Sequence, residues 1–215
     1  MLASDAQLRT LIKFFHRGNR MTYKKGEFII RPGEAPPGVF YIESGLVKAY
    51  DITKYGEENL LIIRKDGEFL GLTWAVTNED RHIIYQALDD TEVWLMSRPK
   101  FMAYLRQEPD AALPLLEMIT GMYKLHSERI LNLEYRSVRE RLISFLLGAS
   151  RRFGRKTKDG LLIEVPLRHQ DIASSINSSR ETTSREMAYL ERKGLVENAQ
   201  SYILLKDIKG LKDYL

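Results

Sequence analysis

The residues best suited to chemistry are gathered in the run Ser179-Arg180-Glu181-Thr182-Thr183-Ser184-Arg185, preceded by Gln170-Asp171-Ile172-Ala173. The spacing predicts a short helix from Gln170 to Ile176, with Ile172 and Ile176 one turn apart on a buried face. Asn177 falls where a tight helix-to-helix turn needs left-handed backbone, and asparagine is the commonest substitute for glycine there. Ser178 is placed to cap a second helix, running from about Ser179 to Lys193 with Thr183, Met187 and Leu190 facing inward. The outer face of its first turns presents Arg180, Glu181, Ser184 and Arg185. That set suits the major groove of double-stranded DNA, where arginine reads guanine O6 and N7 and glutamate accepts from cytosine N4. A plainer reading stands beside it, in which Glu181 completes a capping box with Ser178 and both arginines are solvated surface.

Other chemistry finds no matching residues. Cysteine is absent, which excludes disulfides, thiolate metal sites and cysteine-ligated iron–sulfur clusters and fits a reducing cytoplasm. The four histidines, His16, His82, His126 and His169, form no local pair, so no metal site is expected. Haem ligation by His82 or His126 stays open, although a lone histidine is more often packed or at the surface. There is no phosphate-cradling glycine loop and no nucleophile elbow. No catalytic residue is assigned and no cofactor is expected. The rival reading, a ligand-binding β-barrel enzyme with an accessory helical domain, would need a clustered metal or catalytic set.

The elements that must position the Ser179–Arg185 run begin at the N-terminus. Ser4 and Gln7 are spaced as a capping box before a helix with Leu8, Leu11, Ile12 and Phe15 on one face. From Met21 to about Met96 the period changes to short strand-like runs, among them Phe28–Ile30, Val39–Ile42, Leu46–Tyr50, Leu60–Ile63 and Val93–Met96. Gly33, Gly45, Gly56 and Gly67 punctuate them at steps of 12, 11 and 11 residues, the spacing of an antiparallel barrel, roll or sandwich. Trp74, Tyr85 and Trp94 are expected in its core rather than in a ligand cage. After Arg98-Pro99 the pattern turns helical, and Leu116, Ile119, Tyr123, His126, Ile130 and Leu133 follow alternating steps of three and four. That is the seam of a coiled coil, or else a helix packed on the barrel. A second amphipathic helix covers Val138 to Phe153, with Leu142, Phe145 and Leu146 on one face. Asp159-Gly160 signals a hairpin, Leu161 to Val165 a strand, and Leu195-Val196 with Tyr202–Leu205 a terminal hairpin.

A chain of 215 residues, 44% of them hydrophobic and 29% charged, can hold two domains with real cores. No apolar run approaches the ~18–20 residues of a membrane span, and no signal peptide is visible, so a cytoplasmic protein without a membrane partner is expected. The net charge of +4 is unevenly placed: from Val138 onward there are 15 Lys/Arg against 10 Asp/Glu, leaving the preceding part about neutral. A basic C-terminal part suggests an anionic partner without naming it.

The Arg-Glu-x-x-Ser-Arg run after Gln-Asp-Ile-Ala resembles the recognition motif of the CRP/FNR superfamily of bacterial regulators. The likeness extends over nearly the whole chain, through Gly26, Gly33 and Gly45, the turn Asp66-Gly67-Glu68-Phe69-Leu70-Gly71, and the long helix. It implies an α+β chain with an N-terminal antiparallel β-roll of the cyclic-nucleotide-binding kind (residues 1–110). A long dimerisation helix (111–137) and a C-terminal winged helix-turn-helix (138–215) would follow. It further implies a homodimer on a palindromic DNA site, a small-molecule effector, and RNA polymerase as a possible partner. On this likeness Arg180, Glu181 and Arg185 read bases, with Ser184 nearby, and Gln170 contacts phosphate. His169 stands where family members often carry arginine, so its phosphate contact is expected to be weaker or pH-dependent. Nucleotide binders of the family carry Gly-Glu for the ribose and Arg-Ser or Arg-Thr for the cyclic phosphate, whereas this chain has Gly71-Leu72 and Arg81-His82. Those four residues, with His126 and Ser127 on the long helix, are the expected effector group, open to an anion but not to cyclic AMP. For Arg81, a surface ion pair with Asp80 or Glu79 is the alternative.

Overall fold

The computed structural model describes residues 2–79, 82–199 and 201–215. The chain divides into two compact units, Met1–Asp51 with Leu61–Leu125, and Ile52–Leu60 with His126–Leu215.

The first unit begins with α1 (Asp5–Phe15), closed by the expected capping box. The Ser4 hydroxyl accepts from the Gln7 N–H at 3.3 Å, and the Gln7 side chain accepts from the Ser4 N–H at 2.8 Å. Leu11 and Phe15 are fully buried, but Leu8, expected on the same face, stays exposed. Two antiparallel sheets follow. One orders β1 (Asn19–Tyr23), β8 (Thr91–Met96), β3 (Val39–Ser44) and β6 (Phe69–Leu70) side by side. The other orders β2 (Phe28–Ile30), β7 (Ile84–Ala87), β4 (Leu46–Ile52) and β5 (Glu58–Lys65). The link between β3 and β4 is Gly45, at φ +100°, where a Cβ would lie 2.5 Å from the Thr91 hydroxyl, so only glycine fits.

Inward residues of these strands build two apolar clusters. In one, Phe15 lies among Phe69, Phe101 and Tyr41, with ring centroids 5.0, 5.9 and 6.1 Å away. Trp74 and Trp94 pack against this cluster and Tyr85 against the other, as expected of core aromatics. Helix α2 (Leu72–Thr77), which the periodicity did not suggest, and α3 (Arg98–Gln107) lie in the same unit. A 3₁₀ turn at Pro109–Ala111 leads into α4 (Ala112–Tyr135), the long helix.

In the second unit, a Ser137–Glu140 capping box opens α5 (Val138–Phe153). This helix buries Leu142, Ile143, Leu146 and Leu147, while Phe145 is only half-buried. The hairpin of β9 (Gly154–Thr157) and β10 (Gly160–Ile163) joins β11 (Val196–Ala199) and β12 (Tyr202–Leu205) in the order β11-β12-β10-β9. Between the hairpins lie α6 (His169–Ser175) and α7 (Arg180–Arg192), and α8 (Ile208–Lys212) ends the chain. Residues 52–60 belong to this unit through Leu60. Its N–H donates to the Ser174 hydroxyl at 3.1 Å, and its carbonyl accepts from Arg129 at 3.1 Å and the Ser175 hydroxyl at 3.4 Å.

Candidate nucleic-acid interface

Helix α6 is capped by Ile176, and Asn177 follows at φ +50°, the left-handed residue expected there. The Ser178 N–H then returns to the Ala173 carbonyl at 3.0 Å and the Asn177 N–H to the Ser174 carbonyl at 3.5 Å. This pair of bonds is a Schellman closure, which satisfies carbonyls that the end of a helix otherwise leaves open. Arg141 of α5 donates to the Ile176 and Asn177 carbonyls at 2.9 and 3.4 Å, fastening the turn from outside.

The cap of α7 is one residue later than its spacing suggested. Ser179, not Ser178, is the N-cap, and its hydroxyl accepts from the Thr182 N–H at 3.1 Å. The extra residue belongs to the Schellman closure, which uses the Ser178 N–H and leaves Ser179 as the first residue in extended backbone. The Ser178–Glu181 capping box therefore does not form. Glu181 instead accepts from its own backbone N–H and from the Ser179 hydroxyl, which hold its carboxyl below the usual carboxylate range. It is thus an ionised acceptor on the helix surface.

The inner face of α7 is as expected, with Thr183, Met187 and Leu190 fully buried. Arg139 of α5 stacks over the Tyr189 ring at 3.7 Å and bonds Glu186 at 2.6 Å, pinning the middle of the helix. Arg180, Glu181 and Arg185 are exposed together and Ser184 is half-buried beside them. Arg185 donates to the Thr182 hydroxyl at 3.1 Å, which in turn meets the Ser179 hydroxyl at 3.1 Å.

Gln170 is exposed on the first turn of α6, and His169 opens that helix with its Nδ1 2.8 Å from the Ser184 Oγ. The spacing had not suggested a role for Arg168. Its guanidinium spans both Asp171 oxygens at 3.0 Å and reaches Glu58 at 3.2 Å, which raises its affinity for its proton. The signal available in the sequence was the aspartate three residues on, which accepts the Arg168 N–H at 3.1 Å.

On α4 the seam residues form an uncovered stripe: Leu116, Ile119, Tyr123 and Ile130 are 51, 48, 73 and 62% exposed. His126 is also exposed and Leu133 half-buried. Of the expected effector group, Gly71 caps α2 at φ +76°, and a Cβ there would lie 2.6 Å from the Gly38 carbonyl oxygen. Leu72 is half-buried against the apolar cluster around Phe15, and His82 is exposed at φ +53°. Gly71, Leu72 and His82 belong to the first unit, and His126 and the half-buried Ser127 to the second. Arg81 lies outside the described residues. Among the described residues no group of three or more His, Asp or Glu is placed to hold a metal ion. None of their helices is long and apolar enough to cross a membrane.

Comparison with known proteins agrees with this arrangement. Residues 20–108 match the cyclic nucleotide-binding domain and residues 140–214 the Crp-like helix-turn-helix domain. The chain belongs to the CRP/FNR superfamily. This regulator is 29% identical over 202 residues to the global nitrogen regulator of Synechococcus elongatus, covering 91% of each chain. It is 26% identical over 183 residues to the transcriptional activator protein anr of Pseudomonas aeruginosa, covering 84% of this chain and 75% of that one. A solved structure of a CooA mutant from Carboxydothermus hydrogenoformans shares the fold, with a TM-score of 0.79 at 23% identity over 99% of this chain and 97% of the other. The protein is therefore a transcriptional regulator with a DNA-binding helix-turn-helix and an effector-binding domain, and the enzyme reading is set aside.

The cap assignment makes a direct prediction. Ser179→Ala removes an N-cap and should cost ~1 kcal/mol of stability in urea denaturation, whereas Ser178→Ala should leave it within a few tenths. Equal losses from the two substitutions would mean that the helix starts where the spacing first suggested.

Proposed function

We propose that the regulator binds a palindromic DNA site as a homodimer, with Arg180, Glu181 and Arg185 reading base edges. Contact with RNA polymerase from the bound dimer would link binding to transcription. The observation that carries this reading is the exposed Arg180-Glu181-Arg185 surface on a helix whose opposite face is wholly buried. A helix anchored on one side and charged at its N-terminal turns is built to enter a major groove. Each arginine pairs with a guanine and ionised Glu181 with the cytosine amino group between them, giving a half-site resembling the family's TGTGA. Gln170 and His169, at the N-terminus of α6, would meet the phosphate backbone.

The dimer is supported by the apolar stripe on α4, which is costly to leave in water and narrow enough for a two-stranded seam. Two recognition helices must stand one DNA turn, ~34 Å, apart to read both halves of a palindrome. The effector is a small molecule other than cyclic AMP. Leu72 supports this, because its side chain is engaged with apolar core and offers no acceptor to a ribose hydroxyl.

Four outcomes are expected. Arg180→Ala or Arg185→Ala should each cost ~1–3 kcal/mol on the specific site and relax preference at one base pair, with non-specific binding less affected. Selection from a random pool should enrich a guanine-containing half-site, and enrichment without one would overturn the assignment. Ile119→Glu combined with Ile130→Glu should give a monomer in sedimentation and abolish specific binding; a monomer that still protects two half-sites would overturn the dimer. Calorimetry should find cyclic AMP bound weaker by roughly two to four powers of ten than in a site with a ribose acceptor, from a lost hydrogen bond and a desolvated hydroxyl. Micromolar affinity coupled to tighter DNA binding would overturn the argument from Leu72.

A further inference from the structure

His169 and Ser184 stand on different helices, fifteen residues apart, yet are joined by a 2.8 Å hydrogen bond. His169 is the first residue of α6, and Ser184 lies one turn after Arg180 on the same side of α7. Both are half-buried, so each has one edge against its neighbour and one edge toward solvent.

The bond can run in either sense. A serine hydroxyl has one proton and two lone pairs, and a neutral imidazole carries its proton on only one nitrogen. With the proton on Nδ1, His169 donates to Ser184, whose own O–H is then free to donate to a base. With the proton on Nε2, Ser184 must donate to Nδ1, and what it presents elsewhere is lone pairs alone. The partner of Nε2 therefore sets the polarity of the serine. In the proposed DNA complex, where His169 meets the backbone, that partner is a phosphate oxygen, which can only accept and so keeps the single proton of the neutral ring on Nε2.

We propose that His169 is a specificity-determining residue that acts through Ser184. It accepts the serine O–H at Nδ1 and makes Ser184 an obligate acceptor in the major groove. Only adenine N6 and cytosine N4 offer donors there, whereas guanine and thymine offer acceptors. Ser184 thus selects an exocyclic amino group, and a backbone contact and a base contact are linked through one ring. This rests on the reading of α7 as the base-reading helix, and it assigns His169 a role in sequence choice beyond holding phosphate.

The test uses the full-length regulator and the site enriched by the wild type from a random pool, with each base pair of the half-site substituted in turn. The wild type should prefer adenine or cytosine over guanine or thymine at one base pair by roughly two- to tenfold, the span of one neutral hydrogen bond. Ser184→Ala should erase that preference alone. His169→Arg still offers a donor to the phosphate but has no acceptor, so Ser184 keeps a proton to donate as well as its lone pairs, and the preference for adenine or cytosine at that base pair should be lost. His169→Lys, the other donor-only side chain, should repeat the result if the arginine variant does not fold. Neither variant should change base preference further in the Ser184→Ala background. A histidine that only holds phosphate gives a different pattern, with affinity changing by the same factor at every base pair and preference intact; that result overturns the proposal. Failure of the wild type to enrich any sequence would overturn the DNA-site reading itself, and the role of His169 with it.

Discussion

What α7 presents depends on the left-handed turn at Asn177. A residue at φ +50° redirects the chain within the four residues between two helices, and side chains with a branched Cβ do not tolerate it. Because the Schellman closure and the Arg141 bonds satisfy the carbonyls at the turn, its geometry is held by hydrogen bonds both to α6 and from α5. The direction of α7 then follows, with Ile172 and Ile176 on one side of the turn and Thr183 and Met187 on the other, all buried. A turn with more freedom would let α7 pivot, whereas a binding constellation has to be held to within about 0.5 Å.

The positive charge of the second unit does two separate jobs. Arg129, Arg139, Arg141 and Arg168 are engaged with carbonyls, carboxylates or a ring of the same unit and serve as fasteners. Guanidinium suits this, since its planar fork reaches two acceptors at once and it is not easily deprotonated. Arg180 and Arg185 stand exposed on the first turns of α7. The net charge read from the sequence therefore overstates the number of cations aimed outward. What steers DNA toward the unit is where the exposed ones stand.

Much of this was legible before any coordinates, and the reasons differ from place to place. The capping box at Ser4 and Gln7, the left-handed Asn177 and the buried face of α7 were readable because each is a local rule acting over three or four residues. The cap at Ser179 was missed because two adjacent serines satisfy the same rule, and only the hydrogen bond of the Ser178 N–H to Ala173 separates them. Strand β6, at Phe69–Leu70, is too short for any alternation, and its pairing to Phe40 and Tyr41 is a long-range fact. The bond between His169 and Ser184 and the roles of Arg141 and Arg168 join residues from separate elements, which periodicity within one element does not register.

The placement of Leu60 bears on how the second unit comes to be built. Its bonds to Ser174 and Ser175 close loops of 114 and 115 residues, far longer than any hairpin or helix contact in the unit. During synthesis the segment around Leu60 leaves the ribosome well before Ser174 does, so its partners are absent while the first unit gathers its own core. Long closures are entropically late and slow. The helix-turn-helix would therefore acquire its last hydrogen bonds only after a segment made a hundred residues earlier has been held in reserve, and a fragment beginning at His126 would lack that segment altogether.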